Sequence, residues 1–355
     1  MSLEFKNVSL NRGGDTHIYS TDLTLVNQEF NVLLGTTLAG KTSLMRLSAG
    51  LDQPSSGEIW FEGRNITALP VQKRSVAMVY QQFINYPNFT VYDNIASPLR
   101  LQGMNKKAMD ESIQQVAELL KLTPMLQRKP AELSGGQQQR TALARALVKK
   151  AKLVLLDEPL ANLDYKLREE LRDELPKLFR DTGATVVYAT TEPAEAMLLG
   201  GYTATVFEGR VIQYGPTGDV YRKPVNRCSA SVFSDPPMNT ASVQKRAGQF
   251  SINDEVSWNV NEDTSHLPDG QYTLGFRPNH LTLQPAHVDS ISVQADVLLT
   301  EITGSESTVH AGVNNDTWIS LSRGVHSLDK GQPVELYLDT RHVMLFDQQD
   351  RLVWS

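Results

Sequence analysis

Hydrophobic runs alternate with amphipathic stretches through the first two thirds of the chain. Four short apolar runs each predict a buried strand: FNVLLG, SVAMVYQ, KLVLLDEP and ATVVYAT. Between them, apolar residues recur every three or four positions, and Met109, Ile113, Val116 and Leu120 predict an amphipathic helix. Strands that alternate with helices predict a mostly parallel sheet covered by helices. Three of the four runs end on polar residues, and such sheets bind ligands at the carboxyl ends of their strands.

The pattern changes after about Val232. A proline-rich joint, SDPPMNT, is followed by short alternating segments: YTLGFRP, SVQADVLL, STVHAGV and PVELYLD. Turn residues separate these segments at fairly even spacing, which predicts a small β-barrel or sandwich. We therefore expect an α/β domain over residues 1–235 and an all-β domain over residues 236–355.

Composition narrows the class of protein. The chain has 355 residues, 40% hydrophobic and 21% charged, which favours two globular domains over one. A formal charge of −6 argues against nucleic-acid binding. Neither a secretory signal nor an apolar run of about 20 residues is present. The single cysteine, Cys228, excludes a disulfide within the chain. These features favour a cytoplasmic protein, and attachment to a membrane through a partner stays open.

The stretch GTTLAGKT matches the pattern G-x-x-x-x-G-K-[ST] between a predicted strand and a predicted helix. Backbone N–H groups at the start of such a helix bind phosphate. Lys41 would add a charge at the β and γ phosphates, and the Thr42 hydroxyl would ligate Mg²⁺. The alternative is a glycine-rich turn that binds nothing. The predicted phosphate site consists of Gly35, Thr36, Thr37, Leu38, Ala39, Gly40, Lys41, Thr42 and Ser43.

An acidic pair follows the apolar run KLVLLDEP. Asp157, at the end of a buried strand, is suited to hold Mg²⁺ through its water shell. Glu158 is suited to polarise an attacking water as a general base. Alone, such a pair would more often cap a helix, but the upstream phosphate motif favours the catalytic interpretation.

The stretch LSGGQQQR begins a second helix with a possible phosphate site, formed by Ser134, Gly135, Gly136 and Gln137. One nucleotide does not need two such sites in one subunit. A head-to-tail pair of subunits, in which each second site completes the partner's first site, accounts for both. The alternative is a plain helix N-cap by Ser134.

These three motifs, in this order and spacing, resemble the ATPase cassette of ABC transporters. GFRPNHL and EITGSESTVH near the C-terminus resemble the regulatory OB-type domain of importer ATPases of the maltose type. The resemblance covers the whole chain. It implies a P-loop NTPase cassette with a helical subdomain at about 85–132, followed by an all-β OB-type domain, with ATP and Mg²⁺ as cofactors.

The resemblance also implies roles for individual residues. Gln81 would be the Q-loop glutamine, which contacts Mg²⁺ and senses the membrane subunits. The helical subdomain would dock a coupling helix of the permease, and Asp164 would be the D-loop aspartate. The implied partners are a second ATPase subunit, two permease subunits and, indirectly, a periplasmic or extracellular binding protein. The chain would lie peripherally on the cytoplasmic face of a bacterial inner membrane.

Three positions depart from the family pattern. Thr191 occupies the position of the switch histidine, and no histidine lies between His17 and His266 to replace it. A threonine can bond to a phosphate but cannot carry positive charge. Leu38 replaces the usual middle glycine of the P-loop, and Arg12 occupies the position of the aromatic residue that stacks on adenine. A guanidinium can still stack on a base. Tyr19, the nearest aromatic, lies seven positions further on.

The retained Glu158 and the intact LSGGQ suggest that the chain serves a pair of unequal ATP sites. Its signature would complete the full site of an unlike second ATPase, while its own site turns over slowly. VYQQFINYP and YATTEP together resemble one of two unlike ATPases of a glycerol importer. A homodimeric importer ATPase for a sugar or sn-glycerol 3-phosphate is the alternative. A nucleotide-sensing module with little turnover, and a soluble ABC ATPase of translation or DNA repair, are alternatives of other classes.

Overall fold

We describe the protein from a computed structural model that covers residues 3–82, 84–161, 163–253 and 256–355. Contacts within the chain divide it into two compact units, Met1–Gly218 and Asp219–Ser355. The domain boundary expected at residue 235 follows from the proline-rich joint and stays a prediction.

The first unit contains most of the helices. Helices α1 to α6 span Lys41–Ala49, Val91–Leu101, Lys106–Leu119, Gly135–Val148, Tyr165–Thr182 and Pro193–Leu199. Strands β1 to β10 span Leu3–Arg12, Asp15–Leu25, Phe30–Leu34, Ser56–Phe61, Arg64–Asn65, Val76–Val79, Leu153–Asp157, Thr185–Thr190, Tyr202–Phe207 and Arg210–Pro216. Short 3-10 helices span Val71–Lys73, Thr123–Met125 and Pro130–Glu132.

A six-stranded sheet in the order β10-β9-β3-β8-β7-β6 forms the centre of this unit. Strands β9, β3, β8, β7 and β6 run parallel, and β10 pairs with β9 in the antiparallel direction. Every residue of β3, β7 and β8 is buried, as expected where helices cover both faces of a parallel sheet. The four predicted strands are thereby confirmed.

The register of this sheet places three strand ends at one edge. Leu34 of β3 pairs with Thr190 of β8, and Asp157 of β7 pairs with Ala189 of β8. The P-loop follows β3 directly, Asp157 is the last residue of β7 and Thr190 the last residue of β8, so the sheet brings three separate motifs together. A second sheet, in the order β2-β1-β4-β5, is antiparallel.

The segment between β6 and β7 is helical. It contains α2, α3 and α4, and α2 packs on α4. The amphipathic helix predicted from Met109 to Leu120 is confirmed as α3, which ends at Leu119, and Met109, Ile113 and Leu120 are buried.

The second unit is mostly β-structure. Helix α7 (Thr217–Arg222) crosses the division between the units, and α8 spans Arg227–Val232. The sheets β13-β12-β11-β14-β20-β21 and β15-β19-β16-β17-β18 share one apolar core. Strands β11 to β21 span Asn239–Arg246, Gln249–Ser251, Ser257–Asn259, Gly270–Phe276, Leu281–Thr282, Ile291–Ile302, Glu306–Val313, Asp316–Arg323, Pro333–Leu338, Met344–Phe346 and Leu352–Trp354. Short 3-10 helices span Glu262–Thr264, Pro278–His280 and Thr340–His342. The predicted all-β region is confirmed.

Candidate nucleotide site

The loop between β3 and α1 is shaped by two glycines. A Cβ at Gly35 would lie 2.2 Å from the carbonyl oxygen of Val206, and one at Gly40 would lie 2.8 Å from Cδ1 of Ile18. Gly40 also has a φ of 108°, which L side chains rarely adopt. No side chain caps the start of α1 at Gly40. The first N–H groups of this helix are therefore left for a ligand.

Leu38 occupies the middle of this loop in the left-handed region, with a φ of 66°. For a residue with a Cβ this conformation costs about 1–2 kcal/mol. Its side chain is 95% exposed, so the larger residue does not fill the loop. The departure from glycine at this position thus costs local strain and leaves the phosphate side of the loop open.

Lys41 is the buried cation of the site. Only 5% of this residue is exposed, and its Nζ donates to the carbonyl oxygens of Gly35 at 2.7 Å and Thr36 at 3.0 Å. The same atom lies 3.7 Å from Oε1 of Glu158. Burial lowers the pKa of Lys41, and the nearby carboxylates of Glu158 and Asp157 oppose that shift. The loop carbonyls therefore hold the ammonium group in place at the start of α1.

The acidic pair converges on the same point. Asp157 ends β7, is buried, and has a side-chain hydrogen bond with Thr42; its burial raises the pKa of the carboxyl group. Glu158 has a φ of 46°, and its amide donates to the carbonyl oxygen of Ala189 at 3.0 Å. Gln81 donates from Nε2 to Oε2 of Glu158 at 2.8 Å. The structure thus brings the P-loop, the acidic pair and Gln81 together.

The oxygens of this cluster fit a magnesium ion. A hydroxyl from Thr42, a carboxylate from Asp157 and an amide oxygen from Gln81 are the hard ligands that Mg²⁺ takes alongside phosphate and water. Within the described residues, no group of three or more His, Cys, Asp or Glu side chains could hold a metal by itself. Water and the phosphate oxygens of a nucleotide would supply the remaining ligands of a Mg²⁺ ion bound here.

A cleft of about 530 Å³ opens beside the P-loop. Residues of β2 form one side of it, and the turn between β9 and β10 forms another. The turn is tied to the loop, because the amide of Gly209 donates to the carbonyl oxygen of Ala39 at 2.8 Å. The lining residues are Asp15, Thr16, His17, Tyr19, Thr37, Leu38, Ala39, Gly40, Lys41, Thr42, Ser43, Gln81, Glu158, Glu208 and Gly209.

Arg12 is not among the residues that line this cleft. Its guanidinium forms an ion pair with the buried carboxylate of Asp52, which also binds Arg46. Tyr19 does line the cleft, and the guanidinium of Arg210 lies 3.7 Å from the centre of its ring. The stacking of Arg12 on a base therefore stays a prediction, and Tyr19 is the aromatic residue that the structure offers at the cleft.

The sequence patterns did not predict His17, Tyr19 and Glu208 as residues of the site. All three line the cleft, and so does Gly209, where a Cβ would lie 2.5 Å from the carbonyl oxygen of His17. No local motif marks these residues. They reach the P-loop through the pairing of β2 with β1 and of β9 with β3, which a single sequence does not reveal.

The two threonines at the end of β8 have different environments. Thr190 is 2% exposed, donates to Oε2 of Glu195 at 2.6 Å and accepts from the amide of Glu192 at 3.0 Å. Thr191 is exposed, directly beyond the strand end that pairs with β3 and β7. Thr190 thus shapes the turn into α6, and Thr191 is the residue presented at the sheet edge.

The signature stretch forms an exposed helix start outside the cleft. Ser134 caps α4: its Oγ accepts from the amide of Gln137 at 3.3 Å, and Oε1 of Gln137 accepts from the amide of Ser134 at 3.0 Å. The N-cap interpretation is therefore fulfilled within this chain. Gly135 is exposed beside the cap, and so is Asp164, which precedes α5. Ser134, Gly135, Gly136, Gln137 and Asp164 do not line the P-loop cleft.

A buried strand, a glycine loop with a lysine at a helix start, and a neighbouring acidic strand end define a P-loop nucleotide-binding protein. A family model described as ABC transporter matches residues 19–161. The chain also resembles the dimeric post-hydrolysis state of the ATP-binding cassette MJ0796 bound to ADP and Pi. The TM-score is 0.56 at 26% identity, over 61% of this chain and 98% of that one.

Curated relatives match almost the full chain. It is 36% identical over 344 residues to the sn-glycerol-3-phosphate import ATP-binding protein UgpC of Vibrio vulnificus (strain CMCP6), covering 96% of this chain and 91% of that protein. It is 36% identical over 352 residues to the trehalose/maltose import ATP-binding protein MalK of Thermococcus litoralis, covering 95% of each. The chain belongs to the ABC transporter family, among its import ATP-binding proteins.

Membership in this family gives the chain its general activity. It is an ABC-type ATPase that binds ATP and hydrolyses it. Import ATP-binding proteins of this family imply partner permease subunits and a dimer of cassettes. Among the described residues, no helix combines the length and hydropathy that crossing a bilayer requires.

Proposed function

We propose that this chain couples ATP binding and hydrolysis to the uptake of a small polyol or sugar, specifically glycerol, and that it pairs with a second, unlike ATPase. The single observation that carries the coupling is the convergence of Lys41, Asp157, Glu158 and Gln81 at one sheet edge while Ser134 lies outside it. Such a chain offers one complete phosphate loop and one separate helix edge for a partner.

The chemistry follows from the residues at the P-loop. N–H groups at the start of α1 and the ammonium group of Lys41 would bind the phosphates of ATP. Thr42, Asp157 and Gln81 would hold Mg²⁺, which neutralises charge on the phosphates when bound. Glu158 would orient and polarise the attacking water, and its bond to Gln81 ties that carboxylate to the segment that leads into the helical region.

Closure of two cassettes would complete the site. Ser134, Gly135, Gly136 and Gln137 of one chain would cover the nucleotide held by the other, with Asp164 at the seam. The exposure of Ser134 and Gly135 supports this arrangement, because a partner can reach them without unfolding α4. ATP binding would then favour the closed dimer, and hydrolysis with product release would reset it.

The chain's own site would turn over slowly because of Thr191. Loss of a donor at a developing anion typically costs about 10²–10³ in rate. A slow site is tolerable if an unlike partner with a histidine supplies a fast one, which this chain's signature would complete. Purification of the complex from native membranes tests this, because a second cassette with a switch histidine should accompany the chain. Recovery of this chain as the only cassette would contradict the proposal.

The transported molecule is proposed from resemblance rather than from the nucleotide site. VYQQFINYP and YATTEP in this chain, together with curated relatives named for sn-glycerol 3-phosphate and for trehalose and maltose, support a polyol or sugar. Uptake assays in cells that lack the chain would measure this directly. We expect a loss of glycerol uptake that the wild-type chain restores and Lys41→Ala does not. Loss of sn-glycerol 3-phosphate uptake alone would contradict glycerol.

A homodimeric importer ATPase for sn-glycerol 3-phosphate is the second candidate. It is favoured by the names of several relatives, including the UgpC proteins of Vibrio vulnificus and Pectobacterium atrosepticum. The co-purification experiment separates the two, because two identical cassettes would be recovered in this case.

A further inference from the structure

The all-β unit contains a second cleft, apart from the nucleotide site. Its volume is about 550 Å³, within the range of small-molecule pockets of roughly 300–1,000 Å³. Strand β13, strand β21 and the 3-10 helix at Thr340–His342 contribute to its lining. Nothing in the ATPase chemistry uses these elements.

Two of the chain's four tryptophans line this cleft. Trp258 stacks on the buried ring of Phe250, with centroids 5.5 Å apart and 27° between the planes. Trp354 lies on β21, where its backbone pairs with Leu345 of β20. Both tryptophans are therefore fixed by neighbours in the sheet. Rigid aromatic faces of this kind suit the apolar C–H faces of a ring or short carbon chain.

Four side chains of the lining, Trp258, Asn259, Asn261 and Trp354, carry N–H donors that face no acceptor among the described residues. The side-chain oxygen of Asn259 accepts from Nε2 of Gln249 at 3.2 Å, and that of Asn261 accepts from the amide of Thr264 at 2.9 Å. Throughout the part of the chain that the structure describes, the amide NH₂ groups of both asparagines have no protein acceptor. The indole N–H groups of Trp258 and Trp354 have none either. Hydroxyl oxygens are natural acceptors for such donors.

The charges in the lining balance one another. Arg341 donates from Nε at 2.9 Å and from Nη2 at 2.7 Å to the carboxylate of Asp339. The carboxylate of Asp289 lines the cleft, whereas Asp339 is not among the lining residues. The one guanidinium of the lining is thus already paired, and an anion would meet no net positive charge. A neutral ligand with several hydroxyls fits this lining better than a phosphate ester or a carboxylate.

We propose that this cleft binds a neutral polyhydroxylated molecule, a sugar or polyol, between the aromatic faces of Trp258 and Trp354 and the amide donors of Asn259 and Asn261. The site lies wholly within the all-β unit, and its existence does not depend on which molecule the transporter carries. It gives this unit a ligand of its own, distinct from ATP.

Binding is measured on the full purified chain by intrinsic tryptophan fluorescence and by calorimetry, with trehalose and glycerol as neutral probes. We expect at least one of them to bind with a Kd of about 1 mM or lower. Trp354→Ala should weaken that binding at least about tenfold, and so should Asn259→Ala, whose side chain is exposed and whose loss should not affect folding. Trp60→Phe, in the first unit, is the matched control and should leave the calorimetric Kd unchanged.

Three results would overturn the proposal. The first is no binding of either neutral probe to the wild-type chain. The second is tighter binding of sn-glycerol 3-phosphate than of both neutral probes, because the cleft would then favour an anion over a neutral ligand. The third is an unchanged Kd in Asn259→Ala and in Trp354→Ala. Thermal unfolding of each variant checks its fold, and ATP binding by the same samples reports separately on the nucleotide site.

Discussion

Glycines lie at the N-termini of two helices of the first unit, α1 and α4, and the two N-termini differ in capping and in location. Helix α1 starts at Lys41 behind Gly40, without any side-chain cap, and its first turn lies at the bottom of a cleft. Helix α4 starts behind Ser134, which closes a capping box with Gln137 at the protein surface. The start of α1 leaves its first N–H groups to water or a ligand, whereas those of α4 have a partner in the capping box. We infer from this difference that the start of α1 binds phosphate within its own chain, whereas the start of α4 is available to a nucleotide held by a partner.

The strongest test of the α1 side is Lys41→Ala. Removal of the buried ammonium group should abolish detectable ATP binding and lower hydrolysis by at least about 10²–10³-fold. Radiolabelled nucleotide binding to the purified chain measures this. Leu38→Ala, in the same loop but with an exposed side chain, is the control and should still bind. Equal ATP binding by Lys41→Ala and the wild type would show that the P-loop is not the nucleotide site.

Glu158→Gln distinguishes ATP binding from ATP hydrolysis at the same edge of the central sheet. An amide keeps an acceptor for Gln81 but cannot act as a base, so turnover at this site should fall about 10²–10⁴-fold while ATP binding persists. Single-turnover hydrolysis in the assembled complex with the partner's own site disabled is the measurement at this site, with Glu62→Gln as a surface control. If transport and turnover are unchanged while the same substitution in a partner stops both, the site of this chain is regulatory.

Thr191→His tests whether the missing switch histidine is the reason that this chain's site is slow. A histidine at the exposed end of β8 would restore a cationic donor, and turnover at this site should rise by up to about 10²–10³-fold. Thr191→Ser keeps the hydroxyl and should change little. Single-turnover hydrolysis with the partner's site disabled measures the effect. If Thr191→His hydrolyses ATP no faster than Thr191→Ser, the residue at position 191 does not limit the hydrolysis rate of this site.

Ser134→Ala has the smallest expected effect. Loss of an N-cap typically costs about 1 kcal/mol, because the amide of Gln137 loses its acceptor. Chemical unfolding should show a lower midpoint, comparable to that of Thr90→Ala, the N-cap of α2. ATP binding by the isolated chain should stay the same. A large loss of nucleotide affinity would mean that α4 takes part in the site of its own chain.

The sequence predicted most of the fold, and the residues explain why. Apolar runs that end in Gly35, Asp157 and Thr190 mark buried parallel strands, and their shared direction brings the three ends together. The positions of Tyr19 and His17 could not be predicted in this way, because they depend on β2 and on the distant turn at Gly209. The pairing of Arg12 with Asp52 is equally non-local, since forty residues separate them.

The difference between the two threonines shows a further limit. Both follow the apolar run ATVVYA and are identical in type, so no pattern separates them. Glu195, in the first turn of α6, accepts from the hydroxyl of Thr190, whereas Thr191 is exposed. Side-chain direction at a strand end depends on the element that follows, and that element is not marked in the strand's own sequence.

In the proposed dimer, the signature residues of one cassette complete the ATP site at the P-loop of the other. Ser134→Arg tests it most directly, with two readings: nucleotide binding by the isolated chain and uptake by the assembled transporter. We expect ATP binding to remain at the wild-type level while uptake is lost, because the bulky cation blocks the seam and not the cleft. Uptake that survives Ser134→Arg, or ATP binding that disappears with it in the isolated chain, would contradict the account.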